Sequence, residues 1–273
     1  MKIRGGGSKK CPKKTPVKDP KIGQKGPSPH DKRTGPVFTS TSQKKRYITI
    51  DGIVSDTSYS EDQWPEFALK ELTDNAYEFF VVNYPDAATE VRRISTRVKI
   101  DTNTYPGVKI LRIAVRNSNV DNRAAFPDLD AIFDYDRWGS TKRGQHRMTA
   151  GGLGDFLKRV LGMGYASWIS KNDNPNESFE DKQWTEPIIL RFDRKEYKVF
   201  LIVNGDRILT QIHGPVTVDN IGPDTEVEVS LPLVSCWLGD DYNAMLLNKL
   251  ESYYKTFKLI KRNVDFAFSM EVA

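Results

Sequence analysis

Residues Ala68–Phe79, ALKELTDNAYEF, place Glu71, Asn75 and Glu78 at positions i, i+4 and i+7. At helical spacing these three side chains stack on one face. Phe67, Leu69, Leu72, Ala76, Phe79 and Phe80 form the apolar stripe that such a helix sets on a core. Pro65 suits a first helical turn and Asn83-Tyr84-Pro85 an end, so the spacing predicts a helix over about 65–83. Two carboxylates flanking a carboxamide suit a metal–phosphate site with a general base. Taken alone, the same stripe also reads as a solvated face.

Working outward, Tyr47–Val54 (YITIDGIV) alternates as a strand does. Arg93–Asp101 and Val108–Val115 alternate apolar and polar residues around Pro106-Gly107, which predicts a hairpin. Asp121–Arg147 is charged and irregular, with a short helix at Leu129–Phe133. A second long helix is expected from Gly154 to Gly162. Further strands are expected at Ala166–Ser170, Ile188–Phe192, Lys198–Val203, Ile208–Ile212 and Glu226–Leu231. A last helix, Asp241–Leu259, precedes a strand at Val264–Glu271. Helices grouped between runs of strands predict an α+β protein, with a helical layer on one sheet.

The net charge of +5 divides unevenly along the 273 residues. Residues 1–46 carry fourteen Lys and Arg against two Asp, or +12; residues 47–273 carry 27 basic and 34 acidic side chains, or −7. Rich in Lys, Pro, Gly and Ser, the first segment has too little apolar surface to offset ordering entropy and reads as a disordered tail. It is either a solubilising or localisation segment or a non-specific arm for DNA phosphates. Residues 47–273 form the predicted folded domain. Cys11 and Cys236 have no metal-ligand spacing and fit an intracellular compartment, cytoplasmic or, in a eukaryote, nuclear. No apolar run approaches about 18 residues, so no membrane span is expected.

Gly151, Gly152 and Gly154 lead directly into an amphipathic helix carrying Phe156, Leu157, Val160 and Leu161. Glycines permit close backbone approach, and unbonded amides at a helix N-terminus favour a phosphate. The segment has neither the GK[ST] of a Walker A loop nor the preceding strand of a dinucleotide fingerprint. Strand Val108–Val115 emerges at Arg116-Asn117-Ser118-Asn119, where a polar side chain can meet a base edge. Thr225 opens the alternating stretch Thr225-Glu-Val-Glu-Val.

In this order and spacing, ELTDNA, the 117–121 strand end, GGLGDFLK and DTEVEV resemble the boxes of the GHKL ATPases. That superfamily takes in gyrase B, heat-shock ninety-type chaperones, histidine kinases and MutL. WGSTKRGQ is similar to the Gly-Ser-Lys lid and Arg-Gly-Gln of the topoisomerase VI B subunit, and the resemblance spans about residues 47–235. It implies a Bergerat-type two-layer sandwich, with helices on one face of a mixed, mostly antiparallel sheet. It also implies that Glu71 is the general base, Asn75 the magnesium ligand and Asn117 the adenine-reading residue. By the same resemblance Thr225 lies by the adenine, and Gly151, Gly152, Leu153 and Gly154 hold the phosphates. Lys142, Arg143 and Arg147 fall in the lid, 121–150, while Asp74 and Glu78 are outer or surface groups.

Two departures stand out. The family's D-x-G-x-G is here Asn117-Ser118-Asn119-Val120-Asp121, without its glycines, although a carboxamide can still accept and donate at a base edge. No full transducer domain, with its phosphate-reaching lysine, fits after the last predicted strand. His30, His146 and His213 form no ligand set, and the five tryptophans are dispersed. The expected activity is ATP binding with magnesium and ATP hydrolysis, serving as a switch in a DNA-related process. Nucleotide would gate association with a second copy or another protein. The alternatives are a non-hydrolysing GHKL-fold interaction module with a basic DNA-binding tail, and a DNA binder whose body only supports that tail.

Overall fold

Alternation of apolar and polar residues builds one sheet with two unlike faces. The computed structural model describes residues 44–84, 92–118, 128–136, 155–171, 184–205, 207–233, 240–261 and 263–272. Its strands are β1 (Arg93–Tyr105), β2 (Val108–Asn117), β3 (Ile188–Phe192), β4 (Lys195–Asn204), β5 (Arg207–Thr217), β6 (Thr225–Pro232) and β7 (Asp265–Val272). They form a seven-stranded sheet in the order β5-β4-β3-β6-β2-β1-β7. Among the described strands only the β1–β7 pair is parallel. Val98 stands opposite Ile113, and Ile113 opposite Val229, so the apolar residues of three strands share one face. All described residues belong to one compact unit, 38–273.

The helices are α1 (Ile50–Thr57), α2 (Trp64–Asn83), α3 (Leu129–Phe133), α4 (Phe156–Lys171) and α5 (Asp240–Ile260). α2 contacts β1, β2 and β6, α4 contacts β4 and β6, and α5 contacts α2 and β7. The architecture is α+β, as the sequence predicted. The opposite face of the sheet is charged: Arg191 bonds Glu196 at 2.7 Å, Glu228 at 2.9 Å and also Glu226. Arg112 bridges Asp101 at 3.2 Å and Glu186.

Contacts at the helix ends set their directions. Trp64, opening α2, lines a small crevice with Leu231, Pro232 and Leu233, while Tyr84 beyond its end accepts a bond from Arg92 at 2.8 Å. α4 runs the other way: near its end Ser167 bonds Glu61 at 2.7 Å, and Lys171 donates to the Leu233 carbonyl. The start of α4 and the end of α2 therefore lie toward the same end of the sheet, where Asn117 closes β2.

Two expected elements are corrected. Tyr47–Val54 is not a strand: Thr49 caps α1 by accepting from the Gly52 amide at 3.3 Å, and Ser58 ends it in the left-handed region at φ 61°. The alternation was short enough for this capping to prevail. The helix expected to stop at Gly162 runs on to Lys171, absorbing the expected strand Ala166–Ser170. Its glycines serve close packing instead of termination. A Cβ at Gly162 would lie 1.6 Å from the Tyr47 carbonyl oxygen, and one at Gly164 would lie 2.5 Å from Nε1 of Trp184.

Candidate functional site

α2 sets out its polar stripe one turn at a time. Glu71 is largely buried, and its carboxylate accepts from Lys70 Nζ at 2.8 Å. Lys70 also bonds Asp74 at 3.1 Å. Burial disfavours the ammonium charge, but Glu71 and Asp74 outweigh it and raise the Lys70 pKa. Tyr253 of α5 is pushed up to about 12, first by burial and then by the charge of Asp74. α5 therefore flanks the Lys70 and Asp74 side of the stripe. Asn75 is exposed one turn beyond Glu71, and Glu78 is buried.

Asn117 and Thr225 are direct cross-strand partners on the helix-facing side of the sheet. This face continues inward through Val115 and Val227 to Ile113 and Val229. Asn117 is only 6% exposed, yet its Nδ2 has no hydrogen-bond partner among the described residues. A buried amide left in that state costs about 1–3 kcal/mol, so its retention calls for an explanation. The two strand ends quoted from the sequence thus meet, and Asn117 supplies an unclaimed polar group.

α4 delivers a helix N-terminus toward the same end. The Asp155 carbonyl accepts from the Arg159 amide at 3.0 Å, opening the helix. Phe156, its first residue, packs against Phe67 with ring centroids 6.0 Å apart. Phe67 stands one helical turn before Glu71 on α2. Measured from Trp64, Glu71, Asn75 and Glu78 lie roughly 10, 16 and 21 Å along the axis. β6 spans about 24 Å from Pro232 to Thr225, and α4 reaches about 16 Å back from Ser167 to Phe156. The stripe and the helix N-terminus therefore both extend toward Asn117 and Thr225.

A buried cluster closes the first two turns of α4, and sequence reading did not single it out. Asp155 and Lys158 pair at 3.4 Å with side chains only 2% exposed. Lys158 Nζ donates to the Asp134 carbonyl at 2.8 Å, and the Tyr135 hydroxyl donates to the Lys158 carbonyl at 2.9 Å. Tyr47 meets Tyr135 edge-on at 5.1 Å, and burial followed by the Asp155 charge raises its phenol above the ordinary range. Asp155, directly after a glycine run, was visible as a helix-start signal. Nothing in the pattern marked Lys158 as buried.

Of the expected site residues, Glu71, Asn75, Asn117 and Thr225 fall in the described structure. Lys142, Gly151, Gly152, Leu153 and Gly154 lie outside the described residues, as do Arg143 and Arg147. Among the described residues no cluster of three or more His, Cys, Asp or Glu could hold a metal ion. No described helix is long and apolar enough to cross a membrane. The chain matches no family model and no curated protein. The functional reading accordingly rests on residue chemistry, on geometry and on the resemblance of the sequence motifs to the GHKL boxes.

Proposed function

We propose that the chain binds ATP with magnesium at the Asn117–Thr225 end of the sheet and hydrolyses it, with Glu71 as general base. The observation that carries this reading is the buried, unpartnered Asn117 amide beside Thr225, at the end toward which the α4 N-terminus and the Glu71–Asn75 stripe extend. Asn117 would read the adenine edge, since a carboxamide presents a donor and an acceptor. The first amides of α4, continued by Gly151–Gly154, would hold the phosphates. Asn75 would give magnesium one oxygen and the phosphates others, which suits an ion that needs few protein ligands. The chemistry that a magnesium ion held there would supply is neutralisation of the charge developing on the phosphate oxygens. Glu71 would take the proton of the attacking water, a role worth on the order of 10²–10⁴-fold.

The switch role in a DNA-related process, as in topoisomerase VI B-like ATPases, follows from the same family resemblance. DNA would meet the basic segment 1–46, and ATP would alter association with a second copy or a partner protein. Titration calorimetry with ATP and magnesium tests the binding; no heat at millimolar nucleotide sinks the proposal. With binding in hand, Glu71→Gln is expected to lower phosphate release at least about 100-fold while ATP still binds. A non-hydrolysing module is the second reading. It is favoured by the Lys70 ammonium, which already occupies the Glu71 carboxylate at 2.8 Å. ATP binding with equal, background-level phosphate release from both proteins would select it.

A further inference from the structure

The row of side chains that begins at Asn117 continues across the sheet past Thr225. Thr225 faces Asn117 of β2, and its neighbour Glu226 faces Arg191 of β3. Phe192 follows Arg191 as Thr225 precedes Glu226, so antiparallel register sets Phe192 against the other flank of Thr225. Alternation puts Phe192 on the helix-facing side, since Leu190, two residues earlier, pairs with Val227. The order along this end is Asn117, Thr225, Phe192, with the outer two about 10 Å apart at two strand spacings. The Phe192 ring is stacked on Tyr197 of β4, with centroids 5.0 Å apart and planes 5° from parallel. Both residues are only half-buried, so part of the aromatic surface stays accessible.

The strand ends that carry this row are braced to one another. Arg116 bonds Asp224 at 2.8 Å and the Ile221 carbonyl at 2.9 Å, tying the end of β2 to the approach to β6. The Arg194 amide donates to the Gly222 carbonyl at 3.2 Å, which ties the β3–β4 turn to the same approach. We propose that Phe192, backed by Tyr197, is the residue against which the base of the nucleotide packs, and that it makes the site prefer a purine to a pyrimidine. The inference rests on the nucleotide-binding reading above. A base whose edge is held by Asn117 lies across Thr225 and turns its far side to the Phe192 ring. A two-ring base fills the gap to that ring, and a one-ring base falls short of it. Aromatic rings attract bases whatever their hydrogen-bonding pattern, so Asn117 reads the edge of the base and Phe192 its length. A diagonal aromatic pair also steadies a hairpin, but that role alone gives no preference between bases.

The test compares ATP, CTP and pyrophosphate binding, with magnesium, by calorimetry for wild type, Phe192→Leu and Phe192→Tyr, with folding followed by thermal denaturation. Phe192→Leu is expected to weaken ATP at least about fivefold, the value of a lost stacking contact, and to leave CTP and pyrophosphate within about twofold. Phe192→Tyr, which keeps the ring, is expected to bind ATP within about twofold of wild type. Equal weakening of all three ligands by Phe192→Leu is what a merely structural residue would give, and it overturns the proposal. Should Phe192→Leu fail to fold, nuclear Overhauser contacts in wild type decide. Contacts from the adenine H2 or H8 of bound ATP to the Phe192 ring, assigned through Phe192→Tyr, are expected; bound ATP without them overturns the inference. Wild type that does not bind ATP removes the parent reading as well. Wild type that binds ATP, with Phe192→Leu unaltered, removes this inference alone.

Discussion

At the scale of single residues, stability and the proposed function make opposite demands on Asn117. Its amide is buried without a partner among the described residues, so an apolar replacement of similar bulk relieves the protein of a desolvated donor. Asn117→Val is expected to leave stability unchanged or raise it by up to about 1 kcal/mol in urea unfolding. The same variant is expected to weaken ATP by about tenfold or more, because the base edge loses its partner. A variant that lost stability and kept affinity would make Asn117 a framework residue. Asp101 gives a prediction with a definite sign. Burial works against its charge, but the Thr104 hydroxyl, the Asn103 and Thr104 amides and Arg112 outweigh it and hold the carboxyl well below the usual range. A folded pKa below the unfolded one contributes stability above the unfolded value of 3.8, and this is lost as pH falls toward the folded value. Asp101→Asn should therefore be less stable than wild type at neutral pH. The gap should close progressively below about pH 4, as unfolding at stepped pH would reveal. Asn117 was legible in the sequence as a polar residue ending a strand. That its amide is buried and unmatched was not, because burial depends on what the other elements bring over it.

Among the elements, the two that departed from expectation show where local pattern gives way. YITIDGIV alternates well enough for a strand, but Thr49 three residues before Gly52 is a capping arrangement, and Ile50, Ile53 and Val54 then share a helical face. Thr49→Ala is expected to cost about 1 kcal/mol, as losing an N-cap does, measurable as a lower urea midpoint at unchanged slope. In α4 the glycines at 162 and 164 look like a stop signal. They are contact points, and their meaning comes from Tyr47 and Trp184, far away in sequence. Gly162→Ala drives a methyl into the Tyr47 carbonyl, a backbone atom with little freedom to withdraw. It is expected to cost at least about 1–3 kcal/mol and to lower the melting temperature by several degrees. α2, in contrast, agrees with its sequence almost residue for residue. Pro65 lies in its first turn, and a wide apolar stripe fixes which face meets the sheet. Helix signals held where propensity, caps and periodicity coincided.

For the whole molecule, the sheet separates two kinds of surface. One face is covered by helices; the other carries ion pairs that cross from strand to strand. Arg191 alone serves Glu196, Glu226 and Glu228, and their attraction outweighs the cost of burial in raising its pKa. Arg191→Met would leave Glu226 and Glu228 with only the more distant Arg97, at 3.8 and 3.9 Å, and Glu196 with Lys198 at 3.7 Å. It is expected to destabilise the fold by about 1–3 kcal/mol at neutral pH and by less as those carboxylates are protonated. The sequence by itself determined the α+β class, the hairpin of β1 and β2, helix α2 with its polar stripe, and the strand ends at Asn117 and Thr225. These rest on periodicity and capping, which act between residues close in the chain. Only the tertiary structure decided that Asn117 and Thr225 stand side by side, that α4 runs antiparallel to α2, and that Lys158 is buried beside Asp155. Each of these depends on strand register and close packing between distant segments, which no local spacing encodes.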